Sequence, residues 1–175
     1  KLITTALVGK FLYLTDIHYD PDYKTGAPNK CLLDHIGVTC CHDYDISTFN
    51  SLPANRWGDY NCDTSPLFFN KSMEWIHHHH PDIDMILYTG DSAGHEDIFN
   101  TPGVILHSVD AVFDQFKTKY PNTTILSTVG NHETYPIDQT PPILYPYLLR
   151  NFGESMKNPL PDNAIQYFKK TGSYT

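Results

Sequence analysis

Three short stretches carry residues whose types and spacing could hold a metal ion or move a proton. Asp16-Ile17-His18 places a carboxylate and an imidazole two residues apart, so on an extended segment both face the same side. Asp91, directly after Gly90, offers an oxygen able to bridge two cations. Gly130-Asn131-His132-Glu133 offers an amide oxygen, an imidazole and a carboxylate around a glycine pivot. Hard carboxylate oxygen combined with imidazole nitrogen suits zinc, manganese or iron. Aspartate and asparagine also cap helices and turns constantly, so one such stretch alone says little. Three of them, each at the end of an apolar run, say far more.

Those apolar runs must be the elements that position the chemistry. Lys10 to Thr15, Met85 to Thr89 and Thr124 to Thr128 read as buried strands. Between the first two lies a long irregular excursion, Asp16 to Pro66, followed by a helix. The helix starts at Ser65-Pro66 as cap and first-turn proline and runs to about His79. Phe68, Ser72, Trp75, Ile76 and His79 share one of its faces. A second helix spans Thr101 to Tyr120, with Ile105, Val109, Val112, Phe113, Phe116 and Tyr120 at helical spacing. Strand, helix, strand, helix, strand predicts parallel pairing with right-handed crossovers, hence an α/β domain. Ligands in such sheets collect beyond the carboxyl ends of the strands, where all three motifs fall. Later helices are expected over Ile143 to Phe152 and Asn163 to Lys169, and Gly172 to Thr175 looks like the opening of another strand.

Composition bounds the partners. Lys plus Arg number 12 against 20 Asp plus Glu, a net charge of −8, with no basic cluster to hold nucleic acid. Protonating all ten histidines would move that −8 to +2, so a mildly acidic compartment would remove most of the self-repulsion. No segment approaches the roughly 20 apolar residues of a membrane span. The start at Lys1, without Met or a signal-like region, reads as a mature or trimmed form. Cys31, Cys40, Cys41 and Cys62 all lie inside the excursion and explain how it could stay ordered. Four cysteines allow three pairings; a Cys40–Cys41 bridge between neighbours would be strained. Sequons begin at Asn70 and Asn122. An even cysteine count with two glycosylation signals points to a secreted or lysosomal protein.

Taken together, Asp-x-His, Gly-Asp and Gly-Asn-His-Glu resemble the calcineurin-type metallophosphoesterase superfamily, which uses two metals. Within it the chain is similar to acid sphingomyelinase and the acid sphingomyelinase-like phosphodiesterases. That similarity rests on Asp16-Ile17-His18-Tyr19-Asp20, the cysteine cluster, Trp57-Gly58-Asp59-Tyr60-Asn61-Cys62-Asp63, and Gly90-Asp91-Ser92-Ala93-Gly94-His95. It runs from Gly9 to Thr175. The resemblance implies the first half of an αββα sandwich, a parallel-rich sheet flanked by helices with a disulfide-stapled loop. It also implies two divalent ions, zinc by family. Asp16 and His18 would hold one, Asp91 would bridge both, and Asn131 would hold the second. Cys31 would pair with Cys40 and Cys41 with Cys62, and His95 and His132 would lie near the leaving-group oxygen. The implied reaction is phosphodiester hydrolysis by metal-activated water. Sphingomyelin is the leading substrate, with nucleotides or polyphosphate as alternatives. Glu133 is expected to orient its turn by hydrogen bonds rather than to bind metal.

The sequence also departs from the family. Three further histidines, one in a Gly-His pair and two in Gly-His-x-His, complete the family's ligand set, and no histidine follows His132. The 175 residues are therefore read as the N-terminal part of a single catalytic domain whose C-terminal half is missing. The rival reading is a non-catalytic secreted binding protein on a degraded phosphoesterase fold. Other histidines carry less. Consecutive His77 to His80 point around a helix end, where the dipole favours them, rather than to one site. His35 and His42 among the cysteines could mimic a zinc knuckle, but an oxidising compartment favours disulfides. His107 falls in a helix and is expected to be a surface or packed residue. Tyr19, Trp57 and Tyr135 could line a cleft or simply pack.

Overall fold

The computed structural model of the chain describes residues 8–36, 38–95, 100–155 and 160–172. Three short strands, β1 (Phe11–Leu14), β2 (Met85–Tyr88) and β3 (Thr124–Ser127), form one parallel sheet in the order β1-β2-β3. The register sets Phe11 beside Met85 and Met85 beside Thr124, so the three strands end level with one another. Two helices make the crossovers: α1 (Pro66–His79) and α2 (Pro102–Lys119). The fold is α/β, as expected, with helices packed on the sheet and a disulfide-stapled loop between β1 and α1.

Helix starts follow their sequence signals. The Ser65 hydroxyl accepts from the Phe68 amide at 3.2 Å and Pro66 occupies the first turn. Thr101 does the same for the Val104 amide at 3.3 Å, ahead of Pro102. Each cap satisfies an amide that has no partner inside its helix. All six residues expected on the inner face of α2 are buried. Phe113 and Phe116 close edge-on against Tyr88 of β2, with ring centroids 5.9 and 5.4 Å away. Helices α3 (Tyr145–Ser155) and α4 (Asp162–Thr171) extend this core through Phe152, which contacts Phe113 at 5.5 Å and Phe168 at 5.8 Å.

Two expectations are corrected. Helix α1 turns Phe69, Met73 and the partly buried Ile76 to the core, not the face containing Phe68 and Trp75, which are 49% and 59% exposed. Apolar neighbours (Phe68-Phe69, Trp75-Ile76) fit two stripes one residue apart, and packing selects the other one. Strand β1 is buried on one side only. Leu12 and Leu14 meet the helices, while Phe11 and Tyr13 on the other face are 60% and 55% exposed. The sheet therefore has one covered face and one open face. The suggested strand opening after Gly172 falls mostly outside the described residues; Gly172 itself caps α4 with φ 74°.

The excursion is held by Cys31–Cys40 and Cys41–Cys62. Among the described residues no cysteine is free, so no thiolate is left for a zinc knuckle. His42 is instead buried between carboxylates, its ring nitrogens 3.1 Å from Asp20 and 3.2 Å from Asp45. The His35 side chain lies outside the described residues.

Candidate metal centre and active site

Pairing between β1 and β2 continues past both strands into the loops that carry chemistry. Asp16 N donates to Gly90 O at 3.1 Å, His18 N to Asp91 O at 2.9 Å and Tyr19 N to Ser92 O at 2.6 Å. Yet Asp16, His18 and Asp91 have φ of 51°, 44° and 60°. Left-handed backbone costs a residue with a Cβ about 1–2 kcal/mol. Such strain clusters where a site needs side chains aimed in one direction. The β2 and β3 ends also come unusually close. A Cβ on Gly90 would meet Gly130 N at 2.4 Å, and one on Gly130 would meet Asp91 Oδ1 at 2.1 Å. Only glycine at both positions allows that approach.

Glu133 ties these loops together. Its buried carboxylate accepts from Gly130 N at 2.7 Å, from Asp91 N at 2.8 Å and from Ser92 N. Burial pushes it above the usual carboxylate range, and the three amide donors oppose that push. Its role is the orienting one expected from the sequence. His132 N donates to Asp91 Oδ1 at 3.0 Å, which fixes the aspartate. Asn131 donates from Nδ2 to Asp138 at 2.9 Å, so its amide oxygen is the atom left to act as a donor to a cation.

Three imidazoles then meet over the strand ends. The ring centroids of His18 and His95 lie 4.1 Å apart, those of His18 and His132 4.7 Å, and those of His95 and His132 4.6 Å. Each ring has its Nδ1 engaged. His18 Nδ1 donates to Ala93 O at 3.0 Å and His132 Nδ1 to Gly94 O at 3.3 Å. His95 Nδ1 lies 2.7 Å from Asp63 Oδ1, and its backbone amide donates to Oδ2 of the same carboxylate at 2.5 Å. With Nδ1 so held in His18 and His132, Nε2 is the ring nitrogen of each that can ligate a metal or exchange a proton, and in His18 it already lies 3.8 Å from Asp16 Oδ1. Two groups result, each with ligand atoms within 4.8 Å of one another: Asp16, His18 and Asp91, and His18, His95 and His132. His18 belongs to both. Burial, and next the charge of His95, hold it below the usual imidazole range, which keeps a neutral nitrogen available. The mixed carboxylate and imidazole donors, backed by oriented second partners, fit divalent cations.

No family model matches the chain. Curated proteins do. The chain is 33% identical over 144 residues to an endopolyphosphatase of Schizosaccharomyces pombe, covering 74% of this chain and 24% of that protein. It is 29% identical over 167 residues to acid sphingomyelinase-like phosphodiesterase 3b of Homo sapiens (95% and 34%). It is 27% identical over 187 residues to sphingomyelin phosphodiesterase 2 of Caenorhabditis elegans (94% and 30%). The chain belongs to the acid sphingomyelinase-like family of metallophosphoesterases. It spans about a quarter to a third of the length of these relatives.

One side chain of this cluster has no local signal in the sequence. Asp63 closes the Trp57–Asp63 motif. Its carboxylate orients His95 and accepts from Thr39 Oγ1 at 3.0 Å. Burial would raise it, but the hydrogen bonds from His95 and Thr39 hold it below the usual carboxylate range. Its position directly after disulfide-bonded Cys62 is an indirect signal. The remaining histidines scatter. His77 meets Tyr120 edge-on, His79 stacks on Trp75 at 4.1 Å and His107 is exposed. Tyr19 packs against Phe69 at 6.0 Å and Tyr135 against the core, while Trp57 remains half-exposed. Of the sequon asparagines, Asn122 is exposed and Asn70 is half-buried on α1.

Proposed function

We propose that this chain contributes the strand-end half of a phosphodiester-hydrolysing site of sphingomyelin phosphodiesterase type, working at acidic pH in a secreted or lysosomal protein. The observation that carries the reading is the convergence of left-handed Asp16, His18 and Asp91 on three mutually packed imidazoles. Asp16, His18, Asp91 and Asn131 are the residues that would hold two zinc ions, which when bound would supply an activated water and charge neutralisation at the phosphoryl oxygens. The Gly-His and Gly-His-x-His ligands expected from the resemblance are assigned to sequence outside these 175 residues.

The chain's own residues perform the remaining tasks. Asp63 fixes the His95 ring by its Nδ1 and presents Nε2 as a proton donor to the alcohol oxygen that departs. His132 is held by Gly94 O and is the second candidate for that proton. Glu133 holds the β2 and β3 loops at a fixed separation, so Asp91 and Asn131 keep their places without further adjustment. The structure supports an orienting strap and a proton donor in one cluster, the arrangement an alkoxide leaving group requires.

A specific observation favours a second substrate, since the relative with 33% identity is an endopolyphosphatase. Both readings are tested on the whole protein with bis-p-nitrophenyl phosphate, p-nitrophenyl phosphate and tripolyphosphate at about pH 5, in the range reached by histidine titration. Diester turnover that a chelator abolishes is expected, with the monoester cleaved slowly. Turnover of tripolyphosphate alone would select the polyphosphate reading. Binding without turnover of any substrate would select a binding protein on a degraded phosphoesterase fold.

A further inference from the structure

Beside the imidazole cluster lies a groove of about 610 Å³ that the site description above does not use. Its floor is Asp63 and Thr64, the segment that anchors the catalytic loops. Asp63 holds His95, and Thr64 N donates to His18 O at 2.9 Å. Its walls carry Trp57, Tyr60 and Phe68, all about half-exposed or more. The Arg56 guanidinium lies 4.9 Å from the Trp57 ring centroid and steadies the indole. The acidic groups in the lining are already engaged. Asp59 accepts from Asn29 at 3.0 Å and from the Asn61 amide at 3.1 Å, and Asp63 from His95 and Thr39. The lining that remains is mostly apolar, led by these three rings, with Asn55 and Thr64 as its polar members. That loop is fixed on both sides, since Cys62 is bonded to Cys41 and Ser65 caps α1. The volume falls in the usual range for small-molecule sites, about 300–1,000 Å³.

We infer that this groove binds the apolar part of the alcohol that leaves the phosphodiester. The inference rests on the reading of His95 as the acid that protonates that alcohol. The oxygen must then face His95, and the group attached to it passes over Asp63 into the groove. An aliphatic chain and an aromatic ring present the same chemistry to Trp57 and Tyr60.

Trp57→Ala and Tyr60→Ala in the whole protein are the test. The readout is kcat/KM on short-chain sphingomyelin (alkyl leaving group) and bis-p-nitrophenyl phosphate (aryl leaving group), each as a ratio to the wild-type value. Each ratio is expected to fall about tenfold through KM, with Trp57→Phe restoring most of it. A loss on the alkyl substrate alone identifies a chain-binding groove, and a loss on the aryl substrate alone a ring-stacking one. Unchanged ratios, or Trp57→Phe as impaired as Trp57→Ala, overturn the inference while leaving the hydrolytic reading intact. If no substrate is turned over, the hydrolytic reading fails and fluorescence decides the groove. Saturable quenching of tryptophan fluorescence by bis-p-nitrophenyl phosphate, lost both in Trp57→Phe and in Tyr60→Ala, supports it; no saturable change, or a change that survives both substitutions, overturns it.

Discussion

On the proposed reading, Asp63 and His95 form the pair on which the chemistry at residue scale depends. Replacing Asp63 with Asn removes the charge that fixes the imidazole while keeping the side chain's shape. Loss of such an outer partner typically costs about 10–100-fold, and here it should appear in kcat with little change in KM. His95→Gln separates two uses of the ring, because His95 sits in a group able to ligate metal. As a proton donor it should be dispensable for metal content but not for turnover. Metal analysis showing a lost ion would make it a ligand instead. The pH dependence follows from two shifts of known direction. Asp63 is depressed below its ordinary 3.8, so its contribution to stability is complete above that value and fades as pH falls through the folded value. His18 is depressed below 6.5, so the fold gains from it above that value and loses the gain as pH drops toward the folded pKa. Thermal melts between about pH 7 and pH 3 should show both losses on the acid side, the one at lower pH removed by Asp63→Asn.

Among the elements, the tightest constraint is the contact between the β2 and β3 ends. Gly130→Ala would drive a methyl into Asp91, and overpacking of this kind costs about 1–3 kcal/mol. A lowered melting temperature together with lost activity is the expected outcome. The disulfide loop is the other constraint. Breaking Cys41–Cys62 by double serine substitution should cost roughly 3 kcal/mol, measured by denaturant unfolding. It should also slow turnover, since Asp63 follows Cys62 directly. How far these elements were legible in sequence varies for identifiable reasons. Helix α2 was fully legible, because its apolar residues make one clean stripe. The inner face of α1 was not, because apolar side chains occupy adjacent positions and only packing against β2 and α2 selects Phe69 and Met73. The three ligand motifs were legible as residue types at strand ends. Their left-handed backbone was not, since nothing in Asp-Ile-His demands it. The pairing of Asp63 with His95 spans 32 residues and no local pattern reports it.

For the whole molecule, the sheet is half covered. Helices pack against Leu12, Ile86 and Ile125, while Phe11 and Tyr13 stand open on the opposite face. A lysine pair at positions 11 and 13 is expected to raise the concentration at which the 175-residue chain begins to scatter light. No change would mean that this face is not adhesive. Charge distribution leaves the molecule acidic at pH 7, at −8, and among the described residues no helix is long and apolar enough to cross a membrane. The net negative charge disfavours a nucleic-acid duplex as partner. The central claim is that the three strand ends form one metal-dependent hydrolytic centre, and Asp91 is the residue hydrogen-bonded to both neighbouring strand-end loops, through His18 N and His132 N. The decisive measurement is bound metal and diester turnover, determined together on whole protein with Asp91→Asn. The account predicts at least one ion lost per molecule and turnover reduced by roughly 10²–10³-fold or more. Wild-type metal content with wild-type turnover would contradict it.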